Sequence, residues 1–234
     1  MREPEAGEVH VMRASLEAPP ERVAALRALL SDDERARADR FHFDRHRRRF
    51  VVARATLRQL LAGYTGRRPQ ELVFAYGALG KPALAGGGDL YFNVSHSDEL
   101  AIYAVTRGHE VGVDVERLRD LPGAERIAAR FFSVPEREEL SALPPAARVA
   151  GFFTCWTRKE AYVKARGDGL AHPLHAFAVS AAPGSPAWLR STSAEAADVA
   201  RFSLAALPVG EGFVGAVAVE SSRCRISSAR WPPS

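Results

Sequence analysis

The chain has 234 residues, of which 47% are hydrophobic and 26% charged, with a net charge of +4. That suits one large domain or two small ones built around a buried core. Its apolar runs are too short to cross a bilayer, residues 1–7 are polar and acidic and unlike a signal peptide, and its two cysteines, Cys155 and Cys224, supply neither a disulfide framework nor a metal-ligand spacing. A cytoplasmic protein without membrane attachment is expected. The mild positive charge fits an anionic partner such as a phosphorylated cofactor or an acidic protein surface, and the scatter of basic residues along the chain speaks against nucleic acid.

In chain order, the first predicted element is an amphipathic helix over 21–30. Ser31-Asp32-Asp33-Glu34 has the Ser-x-x-Glu form of a capping box, so a second helix should start there. Residues 46–63 carry Phe50, Ala53, Leu57, Leu60 and Leu61 at helical spacing and predict a long helix. Residues 77–88, rich in Gly and Pro, read as a loop. Strands are expected over 90–94 and 100–106, joined by the polar turn Ser95-His96-Ser97-Asp98, and over 110–116. Ser133-Val134-Pro135-Glu136 is another capping-box start. Residues 146–166 predict a long helix ended by Gly167, 183–197 a loop, and 202–207 with 213–220 a closing hairpin. The order mixes helices and strands, an α/β (α+β) class. A division near Gly108 gives halves of similar size, 1–108 and 109–234, each with a long helix on a small sheet.

Five groups of residues carry chemistry. In Val111-Gly112-Val113-Asp114-Val115-Glu116, strand alternation puts Asp114 and Glu116 on one face. Two carboxylates there repel unless a proton or cation lies between them, and hard oxygen ligands suit Mg²⁺; a solvated acidic edge is the plainer alternative. In 153–164, Trp156, Glu160 and Lys164 recur at i, i+4 and i+8 on one helix face. With Phe152, Phe153 and Val163 close by, that stripe should be partly buried, which makes Glu160 and Lys164 an acid/base candidate rather than a surface pair. Ser95 and His96 at a strand end could hold a pyrophosphate, Lys81 in Gly80-Lys81-Pro82 offers a point charge for a phosphate, and Arg45, Arg47, Arg48 and Arg49 could clamp a terminal phosphate at a helix start. Each of these also reads as an ordinary turn or a solvated basic face.

Of the 32 basic residues only Lys81, Lys159 and Lys164 are lysine. In so arginine-rich a chain, lysine should persist mainly where a compact, titratable ammonium is needed, and all three lie in these motifs.

Taken in order, Gly80-Lys81-Pro82, Asn93-Val94-Ser95-His96-Ser97, Gly112-Val113-Asp114-Val115-Glu116, Phe131-Phe132-Ser133, the run from Trp156 through Glu160 to Lys164, and Gly167-Asp168-Gly169-Leu170 resemble the Sfp-type 4′-phosphopantetheinyl transferase family. The resemblance covers about residues 31–179. It implies two similar halves related by a pseudo-twofold, with coenzyme A in the cleft between them: 1–108 on the 3′-phosphate and adenine side, 109–234 for metal and catalysis. It implies transfer of 4′-phosphopantetheine from coenzyme A to a serine of an apo acyl or peptidyl carrier protein, releasing 3′,5′-ADP, in nonribosomal peptide or polyketide synthesis, by a monomer.

Asp114, Glu116 and Glu160 would hold Mg²⁺, or Mn²⁺ in its place. Glu160 would be the base and Lys164 would assist the leaving group and bind the α-phosphate region. Ser95, His96 and Asp114 would line the pyrophosphate site, Lys81 the adenosine, and Arg37 and Arg49 the 3′-phosphate. Glu34 stands where several relatives carry a basic residue. Lys159 cannot share a helix face with Glu160 and should serve structure or carrier docking. Two other readings remain open on the residues alone: another Mg²⁺-dependent enzyme acting on a phosphorylated cofactor, or a module that binds nucleic acid through Arg45 to Arg49.

Overall fold

A computed structural model of the chain describes residues 1–77, 80–167, 173–191 and 196–232. The motif residues Asp168, Gly169 and Leu170 lie outside the described residues. The class is mixed α and β, with seven α-helices among the described residues.

A four-stranded sheet has the order β11 (Arg225–Trp231), β1 (Glu8–Ser15), β5 (Leu100–Arg107), β4 (Leu90–Ser97). Alternation gives it two faces. Met12, Ala14, Ala101, Tyr103 and Val105 pack with α3 (Asp44–Thr65) through Val51, Val52, Ala55, Leu57 and Leu60. Tyr103 donates a hydrogen bond to the carbonyl of Ala53 at 2.9 Å, tying sheet to helix. The opposite face, with Val9, Val11, Ile102 and Ala104, packs on Val111, Val113, Val115, Val217 and Val219 of a second sheet. That sheet has the order β6 (Val111–Arg117), β10 (Phe213–Val219), β9 (Ser203–Ala206).

The far face of the second sheet is covered by α6 (Pro145–Arg166), and its residues there are small for a reason. Gly112 is paired opposite Ala218, and Asp114 opposite Ala216. A Cβ on Gly112 would lie 2.1 Å from the carbonyl oxygen of Ala161 and 2.2 Å from the amide nitrogen of Ala165. Glycine therefore lets the helix backbone approach β6 directly, which brings side chains of α6 over the carboxylates of the strand. Gly167 ends α6 in the left-handed region, at φ 79°, where the absence of Cβ removes the steric penalty.

α1 (Pro20–Arg27) and α2 (Asp32–Asp39) precede α3. Both capping boxes form, with the Ser31 N–H donating to Glu34 at 3.1 Å and the Ser133 N–H to Glu136 at 2.7 Å; the latter opens α5 (Val134–Ala142). α4 (Ala124–Phe131) lies between β6 and α5.

Several sequence expectations are corrected. The 77–88 loop contains a short strand, β3 (Pro82–Leu84), paired with β2 (Phe74–Tyr76). Ser95, His96 and Ser97 are not in a turn: β4 continues through them, and the chain reverses at Asp98, whose φ is 49°. The 183–197 loop contains β8 (Leu189–Ser191), paired with β7 (Phe177–Val179), and the start of α7 (Ala196–Arg201). β1 and β11 were not predicted. β11 returns from the end of the chain to lie parallel to β1, so residues 225–231 join the first sheet rather than the second. No helix among the described residues is long and apolar enough to cross a membrane.

Candidate active site

The site lies where the two sheets meet edge to edge. β4 and β6 run side by side without a backbone ladder between them. The N–H groups of Val113, Val115 and Arg117 donate instead to the Asn93 side-chain oxygen at 2.9 Å, the Ser95 hydroxyl at 3.4 Å and the Ser97 hydroxyl at 3.1 Å. The carbonyls of Val111 and Val113 accept from the ammonium groups of Lys81 at 3.1 Å and Lys164 at 3.3 Å. Side chains thus satisfy an edge that would otherwise carry unpaired backbone groups.

The same arrangement aims the carboxylates. Ser95 donates to Asp114 Oδ1 at 2.8 Å and Ser97 to Glu116 Oε2 at 2.9 Å. Lys164, on the half-open stripe of α6 with Trp156 and Glu160, places its Nζ 2.6 Å from Asp114 Oδ1 and 3.3 Å from the Ser95 hydroxyl. Asp114 Oδ2 is buried without a partner. Burial pushes the Asp114 carboxyl up, against the pull of Lys164 and Ser95, and the charge of Glu116 adds to the rise. Burial likewise raises Glu160; Lys164 opposes it, while Asp114 and Glu116 reinforce it. Three carboxyl groups from a strand and a helix therefore feel one another's charge beside one ammonium.

Two comparisons decide what this arrangement belongs to. The model of the 4′-phosphopantetheinyl transferase superfamily matches residues 110–218, and that of the 4′-phosphopantetheinyl transferase N-terminal family matches residues 17–107. The 4′-phosphopantetheinyl transferase HetI of Nostoc sp. strain PCC 7120 is 42% identical over 215 residues, covering 91% of this chain and 87% of that protein.

The chain belongs to the 4′-phosphopantetheinyl transferase superfamily.

Other members are similar over shorter spans. The transferase psf-1 of Bacillus pumilus is 30% identical over 174 residues, 74% of this chain and 73% of its own, and Sfp of Bacillus subtilis strain 168 is 28% identical over 152 residues, 65% and 66%. Members of the superfamily are transferases, and coenzyme A is their substrate.

The remaining residues singled out from the sequence lie at varying distance from this centre. His96 sits on the open side of β4; crowding by protein atoms, then Lys164 and Arg49, push its imidazole below the usual histidine range. Arg49 pairs with Glu17 at 2.7 Å and Asp98 at 3.4 Å. Arg37 stacks over Phe50 at 5.3 Å. Lys81 is committed to Glu110 at 2.7 Å and to the carbonyls of Val111 and Lys164, where it caps the end of α6. Glu34 is buried between Arg58, at 2.6 Å, and Arg54; burial opposes its charge, but the two guanidinium groups outweigh it and hold the carboxyl below the usual range. Its negative charge is therefore balanced inside this chain. Lys159 is fully buried, 2.6 Å from Glu136, and donates to the carbonyls of Leu174 and Phe177, both at 2.8 Å. It serves structure and is not available for docking.

Among the described residues, no three acidic, histidine or cysteine side chains come close enough together to hold an ion as they stand, and Lys164 pairs with Asp114 at 2.6 Å. The donor set is nevertheless of the right chemistry. The buried, unpartnered Asp114 Oδ2 and the mutual repulsion of the three carboxyl groups are what a hard divalent cation would relieve. Neither Asn93 nor Ser97 is singled out by the sequence as a partner of β6. Their period-two spacing with Ser95 is the available signal, and it is hidden because residues 95–98 read as a turn after the strand that holds Asn93.

Proposed function

We propose that this chain transfers the 4′-phosphopantetheine arm of coenzyme A to a serine of an apo acyl or peptidyl carrier protein. What supports the reading is the 2.6 Å contact of Asp114 on β6 with Lys164 on α6, with Glu116 and Glu160 near enough for their charges to act on the same group of residues. The serine oxygen attacks the β-phosphorus of coenzyme A, the bond from that phosphorus to the bridging oxygen breaks, and 3′,5′-ADP leaves. Glu160, whose proton affinity is raised, takes the serine proton. The Lys164 ammonium balances charge growing on the leaving phosphate. Asp114, Glu116 and Glu160 would hold Mg²⁺ or Mn²⁺, which supplies neutralisation of the diphosphate charge when bound.

Residues 1–108 take the adenosine and 3′-phosphate, with Arg37, Arg49 and His96 as contacts, and residues 109–234 supply the chemistry. Ser95 lines the pyrophosphate site, and Lys81 contributes by fixing the end of α6. Arg47 and Arg48 share Asp44, and Arg49 pairs with Glu17, so the basic run is partly neutralised internally. That supports a cofactor clamp over nucleic acid.

For the carrier, a cavity of about 580 Å³ opens among α4, α5 and the start of α6. Leu121, Leu140 and Phe152 give it an apolar floor, while Arg126, Arg137 and Arg148 stand on its rim beside Glu125. Phe152 stacks on Trp156, and from Phe152 to Glu160 is about 12 Å along the helix at ~1.5 Å per residue. An acidic, partly apolar carrier surface suits that groove. The two-part chain favours carriers of nonribosomal peptide or polyketide synthesis. The unpaired cysteines suit a reducing cytoplasm, where the enzyme works as a monomer.

The test is mass spectrometry of a panel of apo-carriers after incubation with coenzyme A, Mg²⁺ and the purified chain. The expected product is a carrier heavier by one phosphopantetheine on serine. EDTA should abolish it, and Mg²⁺ or Mn²⁺ should restore it. A panel left unmodified, or full transfer after exhaustive chelation, contradicts the reading.

A further inference from the structure

β4 presents Asn93, Ser95 and Ser97 to β6 in one repeating pattern. Each accepts a hydrogen bond from a β6 N–H, those of Val113, Val115 and Arg117 in turn. The two serines do something the asparagine does not. Ser95 also donates to the carboxylate of Asp114, and Ser97 also donates to that of Glu116, at 2.8 and 2.9 Å. The residue in register with Asn93 is Gly112, which has no side chain to hold. A hydroxyl alone, among neutral side chains of this size, donates and accepts through one atom. The polar residue type at each step thus matches what β6 offers: an acceptor opposite glycine, and a donor-acceptor opposite each carboxylate.

The consequence for the carboxylates is directional. Each serine engages one oxygen, Oδ1 of Asp114 or Oε2 of Glu116, and fixes the plane of the group. On Asp114 this leaves Oδ2, buried and without a partner. On Glu116, Arg119 lies at 3.2 Å from the same Oε2 that Ser97 holds, so the second oxygen is again left to other ligands.

The geometry points to Ser97 as a positioning residue for Glu116, orienting it to receive a divalent cation just as Ser95 orients Asp114. This rests on the metal-dependent transfer proposed above. Outer hydrogen bonds to ligating carboxylates typically change metal affinity by about 10–100-fold when removed.

The test uses the full chain saturated with coenzyme A and titrated with Mn²⁺, with free ion counted by electron paramagnetic resonance. Ser97→Ala should weaken Mn²⁺ binding by about 10-fold or more, and Ser97→Thr, which keeps the hydroxyl, should restore it. In transfer assays, Ser97→Ala should raise the half-saturating Mg²⁺ concentration by a similar factor, with turnover recovering at saturating Mg²⁺. Thermal unfolding of the metal-free proteins isolates the separate loss of the bond to the Arg117 N–H. If Ser97→Ala melts earlier but binds Mn²⁺ as the parent does, Ser97 is structural only and the inference fails alone. If the parent itself binds no Mn²⁺, the metal-dependent reading fails and this one goes with it.

Discussion

Lys164 Nζ lies 2.6 Å from Asp114 Oδ1, while Oδ2 of the same carboxylate is buried and unpartnered. One ammonium therefore faces a buried acid on one side and leaves its other side available. Burial, and the charge of Glu116, push that carboxyl up; Lys164 and Ser95 are what restrain it. Lys164→Met keeps the aliphatic stem and removes the restraint. Asp114 should then hold its proton to higher pH, with Glu116 nearby adding to the rise. We expect transfer at neutral pH to fall by about 10²–10³-fold, the scale of losing one well-placed charge donor. The acid limb of the pH–rate profile should move to higher pH, because the ionised carboxylate forms only there. An unmoved acid limb counts against this coupling.

Gly112→Ala tests the close approach of α6 to β6. The new Cβ would meet helix backbone at 2.1 and 2.2 Å, which cannot swing aside as a side chain can. Overpacking of this kind costs about 1–3 kcal/mol or more, roughly 2–12 °C in Tm for a chain of this size. The expected result is that drop together with lost transfer, since α6 carries Glu160 and Lys164. A variant with the parent's Tm would mean that the helix can lift off at little cost.

The groove among α4, α5 and α6 gives a prediction in KM rather than kcat. Arg126 and Arg137 are exposed on its rim, so their reversal to Glu should leave the fold and the KM for coenzyme A unchanged. The KM for an acidic carrier should rise by about 10-fold or more, with a weaker effect at high salt. Equal changes for both substrates would move the docking surface elsewhere.

The start of the chain gives a prediction in acid. Glu8 accepts from Arg2 at 2.7 and 2.9 Å and from the Glu5 N–H at 3.1 Å, with His10 at 3.3 Å. Arg2 first, then the Glu5 amide, pull its pKa from 4.5 down to about 2. The folded state thus binds this proton less readily than the unfolded chain. The stabilisation is complete above about 4.5 and is lost as pH falls towards 2. Glu8→Gln should lower Tm at neutral pH and flatten its decline between pH 5 and 3. A decline as steep as the parent's would assign acid lability to other carboxylates.

Much of this was legible in the residues, and the exceptions have physical causes. The long helices and both capping boxes were read correctly because their signals are local: periodic apolar residues, a Ser with Glu three places on, a terminal glycine. The pairing of Asp114 with Glu116 on one strand face, and the stripe of Trp156, Glu160 and Lys164, also followed from periodicity. β11 was missed because it is an exposed edge strand, Arg-Ile-Ser-Ser-Ala-Arg-Trp, with hardly any buried alternation; only its pairing with β1 makes it a strand. Ser95 to Ser97 were misread as a turn because small polar residues favour turns locally, whereas here their polarity is spent on β6.

By itself, the sequence determined that Asp114 and Glu116 share one strand face and that Trp156, Glu160 and Lys164 share one helix face. Residue type and spacing suffice for that, since a strand repeats every two residues and a helix every 3.6. Only the tertiary structure decided that β4 and β6 lie edge to edge, that Lys164 reaches Asp114, that Lys81 is occupied in capping α6, and that Lys159 is sealed in the core. Those outcomes depend on contacts between residues far apart in the chain, such as Lys81 with the Lys164 carbonyl, 83 positions away. No local periodicity encodes such contacts; they follow from packing two sheets and two long helices around shared cores.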